Sequence, residues 1–111
     1  MTIPTGALTD AAALVLVHQP VPADKVVAGS PTTGIHEIDE TTGVWEMTPG
    51  AMRDVEEDEL FVALSGVATV EFIDPALPSI ELRAGSVARL AAGMQTVWTV
   101  HETLRKVYLP G

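Results

Sequence analysis

Glu59-Leu-Phe-Val-Ala-Leu-Ser-Gly66, followed after one residue by Ala68-Thr-Val-Glu-Phe-Ile73, is the stretch from which the fold can be argued. Side chains along a strand point alternately to opposite faces, so Glu59, Phe61 and Ala63 share one side and Leu60, Val62 and Leu64 the other. Apart from Glu59 both sides are apolar, which suits a strand at the centre of a sheet or against another chain. Working outward, further short strands are expected at 34–38, 44–47 and 52–55 before this stretch, which itself supplies 60–64 and 68–73. After it come 80–83, 87–90, 95–100 and 105–109. Strands recurring every 8–12 residues with turn signals between them indicate a sandwich or barrel and argue against a parallel α/β sheet. In the strand at 95–100, Thr96, Trp98 and Val100 fall on one face opposite Gln95, Val97 and Thr99, so Trp98 belongs to the core or to a pocket.

Helix has little room. Eight prolines and nine glycines interrupt the chain, and no window of a dozen residues keeps a helical apolar stripe free of a breaker. Thr9 or Asp10 can cap one short turn over Ala11 to Ala13, after which Leu14-Val15-Leu16-Val17 reads as a strand stopping at Gln19-Pro20. From Pro20 to Thr33 the composition shifts to Pro, Gly, Ser, Asp and Lys, as expected of an irregular arm crossing a barrel surface. The expected organisation is one domain over 1–111, with an N-terminal strand and arm at 1–33 and the barrel core at 34–111.

The totals narrow the function classes. Hydrophobic residues make up 47% of the chain, and adding its nine glycines carries the total past the roughly 45–50% usual with glycine included. Part of that surplus is expected to be covered in a homodimer, or else to line a pocket. A net charge of −9 and the absence of any Lys or Arg patch argue against nucleic acid and membrane surfaces as partners. With no cysteine there is no disulfide, thiolate metal site or thiol nucleophile, and the cytoplasm is the expected location. The longest apolar run, Ala11 to Val17, is too short to span a bilayer.

The spacing from Glu59 to Gly66 resembles the second part of the first cupin motif, where the Glu is a metal ligand and the Gly ends its strand. Gly85-Ser-Val-Ala-Arg-Leu-Ala-Ala-Gly93 resembles the start of the second motif, with Ala91 in place of the usual Pro. Four ordered blocks extend the likeness from about residue 21 onward: Gly43-Val-Trp-Glu-Met-Thr-Pro-Gly50, Asp58-Glu59 before Gly66, Gly93 with Trp98, and Leu104-Arg-Lys-Val-Tyr108. They are similar to those of small single-domain cupins related to ureidoglycine aminohydrolase, many of unknown function. The resemblance implies an all-β cupin jelly-roll barrel of two antiparallel sheets with an irregular N-terminal arm. It also exposes departures. The histidine pair expected before Glu59 falls on Arg53 and Val55, or on Met52 and Asp54. The second-motif histidine falls on Thr96 and its following asparagine on Val100. One carboxylate does not make an imidazole metal site, so no metal or other cofactor is expected.

The resemblance points Glu59 into the barrel, where it is the candidate general acid or base; the plainer reading pairs it with Arg53. Arg53, if it points inward, suits bidentate recognition of a carboxylate or similar anion; the plainer reading is a solvated charge at a strand end. Trp45, Phe61, Trp98 and Tyr108 are candidate walls for a flat ligand, or ordinary core. The acidic run Asp54, Glu56, Glu57, Asp58 and Glu59 reads as a solvated loop, since it lacks the glycine and spacing of a calcium loop. His18, His36 and His101 are scattered, and no serine sits in a nucleophilic arrangement. The function expected is a cupin binding a small polar organic molecule without a histidine-ligated metal. The alternatives are an enzyme on a small nitrogen-containing metabolite with Glu59 as acid or base, and a dimeric structural module.

Overall fold

The computed structural model describes residues 3–111. Nine strands form among them: β1 (His18–Pro20), β2 (Val26–Ala28), β3 (Thr32–Asp39), β4 (Thr42–Met47), β5 (Gly50–Val55), β6 (Glu59–Asp74), β7 (Leu77–Leu82), β8 (Val87–Leu90) and β9 (Gln95–Pro110). No helix forms among the described residues, and so none is long and apolar enough to cross a membrane. All pairing is antiparallel, as the spacing of the turn signals led us to expect.

β6 and β9 organise the barrel. Each has 16 residues, which at about 3.3 Å per residue would extend roughly 50 Å if straight. The longest dimension of the molecule is 41 Å, so both strands must bend. They run antiparallel to one another from Glu59 opposite Pro110 to Asp74 opposite Gln95. The first half of β6 and second half of β9 belong to one sheet, extended by β8 on one side and by β4, β3 and β1 on the other. The other halves belong to a second sheet, extended by β7 and by β5 and β2. The register slips three times between Ala63 and Ala68, where the ribbon turns from one sheet into the other.

Gly66 makes that corner possible. Its φ of +97° is a conformation L side chains avoid, and a Cβ there would strike the Thr103 carbonyl oxygen across the ladder. The segments expected as separate strands, 60–64 with 68–73 and 95–100 with 105–109, are therefore halves of two continuous bent strands. Gly66 does not end its strand; it carries the strand round the bend.

The inward faces meet in a core that includes Met47, Phe61, Ala63, Ala68, Val70, Leu82, Leu90, Trp98, Val100 and Leu104. Thr96, Trp98 and Val100 all point inward, as alternation required. Some of the apolar surplus stays outside, including Val15, Val17, Ile35, Val55 and Val87.

The N-terminal arm is mostly irregular. Asp10 caps the single turn, its carboxylate accepting from the Ala12 amide at 3.1 Å. Leu14 to Val17, expected as a strand, lies outside any ladder, and the strand begins only at His18, opposite Gly34. β-Branched residues favour strands through pairing and packing, and here Val15 and Val17 find no partner and remain exposed. What holds the arm is Arg105, which donates from Nη1 to the carbonyls of Ala11 (2.9 Å) and Ala12 (3.2 Å). Arg105 Nε donates to Glu46 Oε2 at 2.8 Å, and Glu46 Oε1 also bonds His18 Nε2 at 2.7 Å. Burial would raise the Glu46 carboxyl, but the bonds and charges of Arg105 and His18 outweigh it and hold it below its ordinary value.

Candidate functional site

One end of the barrel holds a cavity of about 370 Å³ whose lining includes Trp45, Glu56, Glu59, Trp98, Lys106 and Tyr108. Strand register explains the convergence. Trp45 stands opposite Lys106 in the β4–β9 ladder, and Phe61 opposite Tyr108 in the β6–β9 ladder. Directly opposed residues share a face, as do residues two apart on one strand. Glu59 and Phe61 on β6, Lys106 and Tyr108 on β9, and Gly43 and Trp45 on β4 thus all face inward. Gly43 lets this packing close, because a Cβ there would collide with the Tyr108 ring.

The Lys106 ammonium is the centre of the site. The residue is only 5% exposed, and Nζ lies 4.5 Å from the centroid of Phe61 and 4.9 Å from those of Trp45 and Trp98. Three ring faces around one cation are an attractive, desolvated setting. The rings also pack on one another, with centroids 5.5 Å apart for Trp45 and Trp98 and 5.9 Å for Phe61 and Trp98. Nζ donates to Glu59 Oε1, which balances its charge. Glu59 Oε2 makes no hydrogen bond among the described residues.

A second carboxylate is built in more deeply. Glu56 is 6% exposed, and its Oε2 accepts from the Thr96 hydroxyl at 2.6 Å and from Trp98 Nε1 at 2.8 Å. Its backbone is fixed as well, its amide donating to Met94 O and its carbonyl accepting from the Gly93 amide. Burial, and then the neighbouring Glu56 charge, push the Asp54 carboxyl above its usual value. Burial, then Glu37 and Glu59, push the Tyr108 phenol up.

Set against the sequence reading, Glu59, Trp45, Trp98 and Tyr108 are together at this cavity. Phe61 is fully buried beneath the ammonium and belongs to the core. The partner of Glu59 is Lys106 and not Arg53. Arg53 is exposed because β5 turns Met52 and Asp54 inward and Arg53 and Val55 outward. The acidic run is no uniform solvated loop: Glu57 and Asp58 are exposed while Glu56 is buried. Lys106 and Glu56 were missed. For Lys106 the signal was present, since it alternates with Leu104 and Tyr108 on an apolar face; for Glu56 no local pattern distinguished it from its neighbours.

The transition metal of the wider fold family does not fit these residues. Glu59 is held by an ammonium, Thr96 is committed to Glu56, and His18 and His101 bond Glu46 and Thr69 respectively. Among the described residues no three His, Asp or Glu side chains are grouped to hold a metal ion. The Lys106 ammonium sits on Glu59, the carboxylate that the resemblance aligns with a cupin metal ligand.

A bent antiparallel barrel with a polar cavity at one end of the jelly roll defines a cupin. The chain belongs to the EutQ-like cupin domain family, whose model matches residues 37–108. Solved structures agree on the fold. A protein of unknown function of the DUF861 family from Pseudomonas syringae pv. tomato superimposes with a TM-score of 0.72 at 20% identity, over 89% of this chain and 45% of its own. This chain therefore spans less than half of that protein's length. The Clostridium difficile EutQ protein gives 0.60 at 15% identity, over 83% of this chain and 80% of its own. A cupin-like protein from Thermotoga maritima gives 0.63 at 12% identity, over 88% and 80%. A search of curated protein sequences finds no significant match.

Proposed function

We propose that the cavity around Glu59 and Lys106 binds a small organic molecule rich in hydrogen-bond donors, neutral or cationic, without a histidine-ligated metal. The observation that carries this reading is the buried ammonium, packed on three aromatic rings and held by a carboxylate whose second oxygen is unengaged. A charge pair withdrawn from water carries a large desolvation cost that an apolar core would avoid, so its presence at a cavity favours a binding role. The sign of the ligand follows from the lining: Asp54, Glu56, Glu57, Asp58 and Glu59 against Lys106 alone. Such a wall repels carboxylates and attracts amines, amidines and ureas. Trp45 and Tyr108 offer flat apolar contact beside Glu59 Oε2.

Trp45 and Trp98 are the chain's two tryptophans, and both line the cavity. Titration with urea-type, guanidinium and primary-amine compounds, with acetate as the anionic control, should change tryptophan emission saturably for the donors alone. The response should weaken strongly in Glu59→Gln and Tyr108→Phe. Identical curves in wild type and both variants would sink the proposal.

A second reading uses the same pair. The resemblance to ureidoglycine aminohydrolases suggests a small nitrogen-containing substrate, and a carboxylate in contact with an ammonium can give and take a proton. Its test is turnover of ureido and amide compounds, lost in Glu59→Gln while binding persists.

A further inference from the structure

A second cavity, of about 560 Å³, lies on the outer side of β5, lined by Asp24, Lys25, Arg53, Asp54, Val55, Ile73, Gln95, Thr96 and Val97. We infer that it is a binding site for a small anion, with Arg53 and Lys25 gripping the charged group. It adjoins the Lys106 cavity, with Asp54 and Val55 common to both, but Lys25 and Arg53 line it alone, and it does not depend on the function proposed there.

The distribution of positive charge supports it. The chain has six basic residues against fifteen acidic ones. Arg105 and Lys106 are buried in pairs with Glu46 and Glu59. Of the other four, Arg83 and Arg89 lie on or beside β7 and β8, while Lys25 and Arg53 meet at this one cavity. In a protein of net charge −9, most exposed cations can find a carboxylate. Yet among the described residues neither side chain makes a hydrogen bond or a close ion pair, and the carboxylate that feels the Lys25 charge, Asp54, is engaged only at longer range.

Their placement is fixed by the backbone. Val26 stands opposite Met52 in the β2–β5 ladder, and just beyond it the Arg53 amide donates to the Lys25 carbonyl at 2.9 Å. Lys25 lies in the turn just before β2, and this bond brings its residue and Arg53 together at the cavity. Two cations lining one cavity repel each other. An anion between them would relieve the repulsion, and the planar guanidinium can take two of its oxygens at once.

The rest of the lining defines the ligand's body. Val55, Ile73 and Val97 provide an apolar floor, and Gln95 adds an amide donor at the rim. Asp24 limits the negative charge that can be accepted, while Asp54 contributes to the lining with its side chain turned inward. The chemistry fits a singly charged oxyanion with a short apolar body, and a phosphate would share the same charged grip.

The test uses butyrate and inorganic phosphate as probes, titrated at constant ionic strength and followed by amide chemical shifts. Saturable shifts at Lys25, Arg53 and Gln95 are expected, at least tenfold weaker in Arg53→Gln and Lys25→Gln, since a hydrogen bond to a charged group is worth about that factor. Arg53→Lys should fall between. Saturation by either probe with that pattern supports the site, and the tighter probe says whether an organic carboxylate or a phosphate is the better ligand. Shifts that stay linear into tens of millimolar, or that persist unchanged in Arg53→Gln, would overturn it. The readout lies outside the tryptophan-lined cavity, so its failure is distinguishable from failure there.

Discussion

Replacing Lys106 by methionine keeps the aliphatic stem against the rings and removes the charge. Glu59 would then be left in the barrel without its cation, with its side chain only 15% exposed. Breaking a buried pair from one side typically costs about 3–5 kcal/mol, part of it here the attraction to three aromatic faces. Glu59→Gln should cost less, about 1–3 kcal/mol, because the amide oxygen can still accept from Nζ. In Lys106→Met/Glu59→Gln no charge is stranded, and removal of a whole pair is often close to neutral. The cycle should therefore return a coupling close to the sum of the two single losses, about 4–8 kcal/mol. Urea denaturation followed by tryptophan emission measures each corner, and on heating Lys106→Met alone should melt at least about 12 °C lower, at about 4 °C per kcal/mol for a domain near this size. A double variant as unstable as the sum of the single ones would refute the reasoning, because Glu59 and Lys106 would then be energetically independent.

Glu56→Ala should lose about 2–5 kcal/mol by urea denaturation, since the Thr96 hydroxyl and the Trp98 indole would both be buried without an acceptor; a loss below about 1 kcal/mol would mean that neither donor depends on it. Asp54 is an acid whose folded-state pKa is raised, so its ionised form opposes folding above that pKa, and the penalty is relieved as the pH falls toward 3.8, the unfolded value. Asp54→Asn should accordingly raise the melting temperature at pH 7, with the gain shrinking in acid. Gly66→Ala should cost at least about 2 kcal/mol, from positive φ and from the collision with Thr103, whereas Gly93→Ala, also at positive φ but facing open space, should cost only about 1 kcal/mol. Equal losses would remove the close approach from the account of the corner.

Strand identity was legible because it depends on local pattern: short runs of strand-forming residues set between turn signals mark β3 to β9. Continuity was not. The break between 60–64 and 68–73 rested on Gly66, and only the Thr103 carbonyl across the ladder shows that a glycine there keeps the strand going round a bend. The same limit applies to the site. Glu59 could be placed by its spacing to Gly66, but its cation lies 47 residues away on another strand, and Arg53 was merely the nearer base. Glu56 looked like any member of an acidic loop until its hydrogen bonds to Thr96 and Trp98 set it apart. Burial of a charge is decided by what the chain brings to it from a distance.

The shared strand β9 bears on how the molecule is made. Without it the remaining strands fall into three groups with no hydrogen-bonded ladder between them: β1 with β3 and β4, β2 with β5, and β6 with β7 and β8. β9 is the last of the nine to be synthesised, so until it leaves the ribosome these groups are separate islands with apolar faces open to solvent. Long-range strand pairing is slow and leaves such faces at risk of association. We expect chains arrested before Gln95 to be cut readily by protease and to bind holding chaperones, and release of residues 95–110 to bring protection to all three islands together. Protection acquired one hairpin at a time would show instead that each island folds on its own.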